Sequence, residues 1–263
     1  MKKLIAVVVA LVGCVSLAAD LRWVNWDGDL KAGTASNWEP AQVPQAGDNL
    51  TIFYNGSGTK YWHNDLDIVY GHITVVLTNT SNTRVDFDQK EVRVTNGFSF
   101  VGEGGTFYPR TAITGTGEFL VDNAGGTCYL PTSPTSGRVY SGDFMLKRGQ
   151  LSPSAKDVLG SESEHGKITI VVHKSGNSPI DFGKLATSGS GWSIYNDIYY
   201  DNTSSAFAFH HDHQVALRGT VYFTGGGGTF QGAGSTTVPM ESYGKWENWT
   251  PEGQAQHANT IHL

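Results

Sequence analysis

A short glycine-led motif that recurs along the chain constrains its fold more than any other feature. Gly104-Gly105-Thr106-Phe107 returns 21 positions later as Gly125-Gly126-Thr127-Cys128, and again as Gly227-Gly228-Thr229-Phe230. A unit of this length with several short strands is typical of one coil of a parallel β-helix. Glycines at the corners of such a coil supply the positive φ values that tight turns need.

Strand-like runs of apolar, β-branched and aromatic residues dominate the chain, and most are bounded by Gly, Asn, Ser or Pro. The predicted strands lie at residues 73–78, 84–88, 91–95, 118–122, 167–173, 192–200 and 214–223. The period of an amphipathic helix is almost absent, and only residues 154–159, between Pro153 and Gly160, form a short helical candidate. The chain is therefore predicted to be all-β.

We predict a single-stranded, right-handed parallel β-helix of about eight coils with roughly 20–25 residues each. A β-sandwich is the alternative that the imperfect repeat leaves open. The β-helix should occupy residues 51–240, after an N-terminal cap in residues 19–50 that covers the edge of the first coil. Residues 241–263 should form a polar C-terminal tail, which we interpret as a point of truncation relative to a longer protein. The predicted interior positions are Val75, Leu77, Val85, Phe87, Leu120, Leu130, Leu146, Ile168, Ile170, Ile198 and Val221.

The first residues have the pattern of a secretory signal peptide. Lys2 and Lys3 precede an apolar run, and small residues at positions 16 and 18 suit a cleavage site. The run is too short for a permanent anchor, so we expect residues 1–18 to be removed and no transmembrane anchor to remain. The alternative is a bacterial lipobox at residues 11–14, in which Cys14 would be lipidated. Both predict a protein that is secreted or held at the surface of a bacterium.

Charge and cysteine content exclude several classes of function. Without the leader's two lysines the chain has 16 basic and 24 acidic residues, and it has no basic cluster. Neither nucleic acid nor an anionic membrane surface is therefore an expected partner. Cys128 is the one cysteine outside the leader, and its apolar neighbours predict a buried structural thiol rather than a nucleophile.

The segment at residues 115–151 resembles the autotransporter-associated β-strand repeat of large bacterial surface proteins. The shared features are the Gly115-x-Gly117 and Gly125-Gly126 turns and the short motifs Tyr140-Ser141-Gly142 and Gly149-x-Leu151. Residues 23–53 resemble the opening of such proteins through Asn37-Trp38, Val43-Pro44 and Gly47-Asp48. The resemblance implies a passenger-like β-helix with a surface or adhesion role. The chain departs from many members of that family because it ends without a translocator or anchoring pattern, so self-export is not implied.

The sequence FHHDHQ, at residues 209–214, is the first candidate site. We predict that one strand ends at Phe209 and the next resumes at Gln214, because histidines would otherwise interrupt an apolar interior stripe. Adjacent residues of an extended chain diverge, whereas a zinc site needs several converging ligands. The residues from 210 to 213 are thus predicted to form an exposed turn, and no cofactor is expected. A metal site is the minor alternative, with the ligands His210, His211, Asp212 and His213.

A second candidate is the charged set Arg84, Asp86, Asp88 and Lys90, which alternates with apolar residues and is predicted to face outward. Neighbouring acids and bases on the outer side of a β-helix resemble the sites of polysaccharide lyases, in which carboxylates hold calcium and a basic residue abstracts a proton. These residues are the catalytic candidates of an enzyme alternative, with calcium as its cofactor. The favoured interpretation is a charge-balanced solvent face.

The third candidate is an outward strip of alternating aromatic and acidic residues, formed by Tyr195, Asp197, Tyr199 and Asp201. Aromatic rings suit the apolar faces of sugars, and carboxylates suit their hydroxyls, so the strip is predicted to bind a glycan. Asn196 falls on the opposite, interior face, where its amide would need hydrogen-bond partners in neighbouring coils.

The favoured function is a secreted or cell-surface structural and adhesion module whose partner is an extracellular glycan or another cell-surface component. The alternative is a carbohydrate-active enzyme of the β-helix type, either a polysaccharide lyase or a glycoside hydrolase. No nucleophile elbow, phosphate loop or dinucleotide fingerprint is present in the sequence. Glycosidase carboxylates come from distant strands and leave no local motif, so the alternative stays open at this point.

Overall fold

A computed structural model of the chain describes residues 18–80, 82–172, 180–181, 192–202, 209–211, 215–223, 230–234, 240–242, 246–248 and 261–262. These ranges contain strands, one short 3-10 helix at Ala35–Asn37 and no α-helix. The predicted signal peptide and lipobox lie almost wholly outside the described residues, which begin at Ala18. Within the described ranges, no helix has the length and apolar character needed to cross a membrane.

The strands of the first half of the chain are β1 (Asp20–Trp23), β2 (Trp38–Glu39), β3 (Asn49–Tyr54), β4 (Gly58–Asn64), β5 (Val69–Leu77), β6 (Thr83–Gln89), β7 (Val92–Gly102), β8 (Thr106–Phe107), β9 (Ile113–Gly115) and β10 (Glu118–Leu130). Those of the second half are β11 (Phe144–Pro153), β12 (Ile168–Val172), β13 (Ile180–Asp181), β14 (Trp192–Ile194), β15 (Ile198–Asn202), β16 (Phe209–His211), β17 (Val215–Leu217), β18 (Val221–Phe223), β19 (Phe230–Gly234), β20 (Met240–Ser242), β21 (Trp246–Asn248) and β22 (Ile261–His262).

The strands stack in parallel as a β-solenoid with three walls. The first wall contains β1, β3, β12, β15, β18 and β21, together with residues 72–77, 97–102, 118–123 and 144–148 of the longer strands. The second wall contains β4, β6, β8, β13, β16, β19 and β22, together with residues 127–130 and 150–153. The third wall contains β9, β14, β17 and β20, together with residues 69–70 and 92–94. The predicted parallel β-helix is confirmed, and the β-sandwich alternative was wrong.

Backbone pairing along the first wall sets the length of each coil. Leu50 pairs with Ile73, Ile73 with Phe98, Phe98 with Phe119, Phe119 with Phe144, and Phe144 with Ile168, which gives steps of 21 to 25 residues. The next step, from Ile168 to Ile198, takes 30 residues. In the described ranges, six coils have a strand in all three walls, fewer than the eight predicted. The loops at 131–143 and 154–167 contain no third-wall strand, which accounts for the difference.

The repeated glycine motif stacks from coil to coil as predicted where it is described, but of its four glycines there only Gly105 has the predicted positive φ. Thr106 pairs with Thr127 and Phe107 with Cys128, so the first two copies lie directly above one another in the second wall. In the third copy, residues 227–229 lie outside the described residues, and Phe230 begins β19 in the same wall. Cys128 is fully buried, as predicted, and burial raises the pKa of its thiol well above its usual value.

Stacked aromatic rings fill much of the interior. The rings of Phe98 and Phe119 have their centroids 4.9 Å apart, and those of Phe119 and Phe144 are 5.2 Å apart, so one ring from each successive coil continues a single stack. Such stacking adds to the gain from apolar burial. All the predicted interior residues are buried except Leu120, which lies on the outer side and pairs with Met145 in the next coil. Phe119 and Val121 take the interior positions of that strand instead.

The N-terminal segment covers the edge of the first coil with tryptophans. β1 pairs in parallel with β3 and antiparallel with β2, and Lys31 forms a parallel bridge to His63 in the second wall. The buried ring of Trp38 lies against Trp23 at 5.0 Å, and its Nε1 donates to the carbonyl oxygen of Ala32 at 2.8 Å. Both the first and second walls therefore receive a strand pairing from this segment, which protects their edges.

Each of the three corners of the solenoid holds a buried asparagine. Asn123 lies between the first and second walls, Asn64 between the second and third, and Asn196 between the third and first. Their Nδ2 atoms donate to backbone carbonyls of adjacent coils: Asn123 to Gly104 at 2.9 Å, Asn64 to Glu91 at 3.0 Å, and Asn196 to Leu159 and Gly166 at 2.9 and 2.8 Å. The predicted need of Asn196 for partners in neighbouring coils is confirmed. These amides provide hydrogen-bond donors to backbone carbonyls at the corners, where the turns interrupt the β-ladders.

A close backbone approach fixes the corner between the third and first walls. A Cβ atom on Gly142 would lie only 1.8 Å from the carbonyl oxygen of Gly117 in the preceding coil. Glycine is therefore required at this position by space rather than by φ.

Two further expectations differ from the structure. The helical candidate at residues 154–159 forms turns, because Pro153 ends β11 and the chain bends at once toward Gly160. The polar tail expected from residue 241 also contains strands, since β21 pairs with β18 and β22 with β19.

Candidate binding surfaces on the outer walls

The carboxylate of Asp86, predicted to be exposed on the outer side, is completely buried at 0% exposure. Alternation does place it opposite the interior residues Val85 and Phe87, but two arginine side chains cover it. Arg84 Nε donates to Oδ1 at 2.5 Å and its Nη2 to Oδ2 at 2.9 Å, while Arg110 Nε donates to Oδ2 at 3.0 Å. Both oxygens are occupied, so this carboxylate is not available to hold calcium.

The two arginines also lie on tyrosine rings. The Arg84 guanidinium is 4.2 Å from the centroid of Tyr108, and that of Arg110 is 5.1 Å from Tyr61, whose hydroxyl accepts a hydrogen bond from Arg110 Nη2 at 3.2 Å. Hydrogen bonding to Asp86 raises the pKa of both guanidinium groups, so both stay charged. We call this set the second-wall cluster; it contains Tyr61, Arg84, Asp86, Tyr108 and Arg110.

The other predicted members of the charged set lie apart from Asp86. Asp88 Oδ1 is 2.5 Å from His63 Nδ1 in the preceding coil, and Lys90 is exposed at the corner after β6. Across the ranges that the structure describes, no group of three or more His, Cys, Asp or Glu side chains is placed to hold a metal ion. The four residues therefore do not converge as a lyase site would require.

The predicted strip at residues 195–201 spans two strands rather than one. β14 belongs to the third wall and β15 to the first, with Tyr195 and Asp197 in the corner between them. The ring of Tyr195 is 6.2 Å from that of His165, and Asp197 Oδ1 accepts a hydrogen bond from the backbone nitrogen of Thr220 at 2.7 Å. The alternation of buried and outward-facing residues continues after the corner, since Ile198 and Tyr200 are buried whereas Tyr199 and Asp201 lie outside.

On the first wall, the side chains next to Tyr199 come from neighbouring coils as well as from its own strand. Tyr199 pairs with Tyr222 one coil later, and their rings stack 4.7 Å apart at an interplanar angle of 18°. The Lys167 ammonium, from the preceding coil, is 5.9 Å from the Tyr199 ring centroid. Both faces of the Tyr199 ring thus have neighbours, so a sugar would meet ring edges and polar groups rather than an open face. We call Lys167, Tyr199, Asp201 and Tyr222 the first-wall strip.

The histidine-rich stretch is only partly described. His210 and His211 belong to β16 and pair with Ala233 and Gly234, so the strand does not end at Phe209 as predicted. Backbone pairing with β19 extends it by two residues. Asp212 and His213 lie outside the described residues.

Several residues of these surfaces were missed because they come from other coils. Arg110 lies 24 positions after Asp86, and Tyr222 lies 23 positions after Tyr199. The second interval equals one coil, whereas one coil from Asp86 leads to Tyr108, two residues before Arg110. A search 21 to 25 positions beyond each candidate would have included both residues without singling them out.

The chain matches no family model, no curated protein and no solved structure.

Proposed function

We propose that this protein is an extracellular structural and adhesion module that binds a glycan along the first-wall strip. The observation that carries the proposal is the stacked pair Tyr199 and Tyr222, with the exposed Asp201 beside it on the same wall. Strands one coil apart, at about 4.8 Å, make a regular ladder that suits a long, repetitive ligand. The signal-peptide pattern and the resemblance of residues 115–151 to surface-protein repeats support an extracellular setting.

The ligand contacts would be hydrogen bonds rather than ring stacking. Because Tyr222 and Lys167 flank the Tyr199 ring, the phenol edges and the Asp201 carboxylate are the groups that a sugar can approach. Phenols donate and accept hydrogen bonds and carboxylates accept them, which matches the fringe of hydroxyls on a saccharide. The stack holds the rings in place before binding, which lowers the entropy cost of binding.

The test is the double substitution Tyr199→Phe with Tyr222→Phe, which keeps the stack and removes both hydroxyls. We expect glycans that bind the wild-type protein on an array to bind the variant about tenfold more weakly or worse, with an unchanged melting temperature. Tyr195→Phe is the matched control, since this tyrosine lies in the corner beside His165 and should leave binding unchanged. Equal binding by the double variant, or a wild-type protein that binds no arrayed glycan, would overturn the proposal.

The enzyme alternative is not proposed. Its calcium-binding carboxylate, Asp86, is engaged on both oxygens by Arg84 and Arg110, and Asp88 is paired with His63.

A further inference from the structure

The second-wall cluster carries more positive charge than its own acid neutralises. Two guanidinium groups share the single carboxylate of Asp86, which leaves the triad with a net charge of +1. That carboxylate is buried, whereas the side chains of Arg84 and Arg110 remain 35% and 50% exposed. The negative charge is therefore hidden, and the positive charge reaches the surface.

Both guanidinium groups are held in place before any ligand arrives. Asp86 fixes them from beneath, and the rings of Tyr108 and Tyr61 support them from the side. An exposed arginine normally loses side-chain entropy when it binds an anion, and that loss is smaller for a side chain already fixed.

Among the residues that the structure describes, each arginine keeps an Nη1 donor outside these hydrogen bonds. Arg84 contacts Asp86 through Nε and Nη2, and Arg110 contacts its partners through Nε and Nη2, so neither Nη1 takes part in these bonds. Planar guanidinium donors fit the oxygens of a carboxylate or sulfate better than a lysine ammonium does. Such a pair of fixed donors is suited to an oxyanion.

Phenol side chains continue the surface along the same wall. Tyr129 lies one coil beyond Tyr108, with ring centroids 5.4 Å apart, and both are half-buried on the outer side. A ligand fixed by its acidic group at the arginines would therefore meet tyrosines in the adjoining coils. Sugar rings carrying acidic groups match this combination of oxyanion site and aromatic neighbours.

We infer that the second-wall cluster binds the carboxylate or sulfate groups of an acidic polysaccharide, with Arg84 and Arg110 as the recognising residues. The inference goes beyond the proposed glycan binding on the first wall, because it assigns a second site and the chemical class of its ligand. It concerns a different wall from Tyr199 and Tyr222, so the two can fail separately.

The experiment measures binding of three size-matched oligosaccharides to the full chain by calorimetry: oligogalacturonate, a heparin fragment and a neutral β-glucan. We expect one or both acidic probes to bind, more weakly as salt rises, and the neutral probe to bind at least about tenfold more weakly. Tighter binding of oligogalacturonate would identify carboxylate as the recognised group, and tighter binding of heparin would identify sulfate.

Arg110→Ala should weaken binding of the acidic probe about tenfold or more. Arg110→Lys keeps the charge and the fold while removing the planar fork, so it should also weaken binding, though less. Arg148→Ala is the control, because Arg148 is a similarly exposed arginine that pairs with Asp122 and Glu103.

Three results would overturn the inference: acidic probes that bind no more tightly than the neutral one, Arg110 variants that bind like wild type, or an equal loss in Arg148→Ala. If glycans bind and only the Tyr199 and Tyr222 variant loses affinity, the proposed function stands and this inference fails. If no glycan binds at all, both fail.

Discussion

The hydroxyl of Tyr70 donates a 2.7 Å hydrogen bond to Oδ1 of Asn64 inside the corner between the second and third walls. Asn64 in turn donates to the backbone carbonyl of Glu91 in the next coil. Both residues are fully buried, so neither can exchange its partner for water.

Removing either partner should destabilise the solenoid by different amounts. Tyr70→Phe leaves the buried Oδ1 of Asn64 without this donor and should lower the free energy of unfolding by about 1–2 kcal/mol. Asn64→Ala leaves the Tyr70 hydroxyl and the Glu91 carbonyl without their partner and should cost about 1–3 kcal/mol. Urea unfolding followed by circular dichroism measures both values. An Asn64→Ala variant as stable as wild type would contradict the role given to this corner.

Stability at alkaline pH should depend on Tyr70. Burial raises the pKa of its phenol above the ordinary value of 10.0, because the charged form is disfavoured inside the protein. The resulting stabilisation is complete below the ordinary pKa and is lost as pH rises toward the raised value. We expect the free energy of unfolding to fall more steeply for wild type than for Tyr70→Phe between about pH 9.5 and 11.5. Parallel slopes in urea unfolding over this range would contradict the prediction.

Two neighbouring residues test the register of β10. Phe119 lies in the interior stack, and Leu120 lies on the outer side beside Met145. Phe119→Ala should therefore cost about 3–5 kcal/mol, whereas Leu120→Ala should cost less than about 1 kcal/mol. Urea midpoints of the two variants decide between the registers, and equal losses would mean that the strand faces are wrongly assigned.

Position 120 shows the limit of using hydrophobic alternation to assign the two faces of a strand. Alternation identified the interior residues in most strands, but in β10 the adjacent apolar residues Phe119 and Leu120 fit either face equally well. The position of the corner decides between them, since Gly117 lies against the backbone of Asn96 in the preceding coil. That contact is made between residues of different coils, so the sequence of one strand does not reveal it.

For the two candidate surfaces, too, the sequence predicted which face of the strand a residue occupies but not its neighbours in other coils. Asp86, Tyr199 and Asp201 were assigned to the correct side of their strands by alternation alone. Arg110, which buries Asp86, comes from the following coil. Coil steps vary from 21 to 30 residues, so an average period does not identify which residues become neighbours.

Gly142 should not tolerate a larger side chain. A Cβ atom there would overlap the carbonyl oxygen of Gly117, so Gly142→Ala should cost at least about 2 kcal/mol. Gly137→Ala is a suitable comparison, because its Cβ would have open space and only its φ of +75° is unfavourable, at about 1 kcal/mol. Thermal melting of both variants checks the order, and a smaller loss at Gly142 would contradict it.

The thiol of Cys128 should be inert in the folded protein. Burial both blocks access and raises the pKa of the thiol, so little thiolate is present at neutral pH. In a Cys14→Ser variant, which has a single thiol, Ellman's reagent should react at an appreciable rate only after denaturant is added. Rapid labelling of the native protein would show that this part of the second wall opens readily.

The 30-residue step between Ile168 and Ile198 leaves the first-wall pairing in register, although neighbouring steps are five or more residues shorter. Coil length and strand register are therefore independent in this chain, because the paired strands keep their partners across steps of different length. A scaffold of this kind suits engineering by insertion. We expect a peptide epitope or a small loop inserted between two walls to leave the strands on either side paired with their partners.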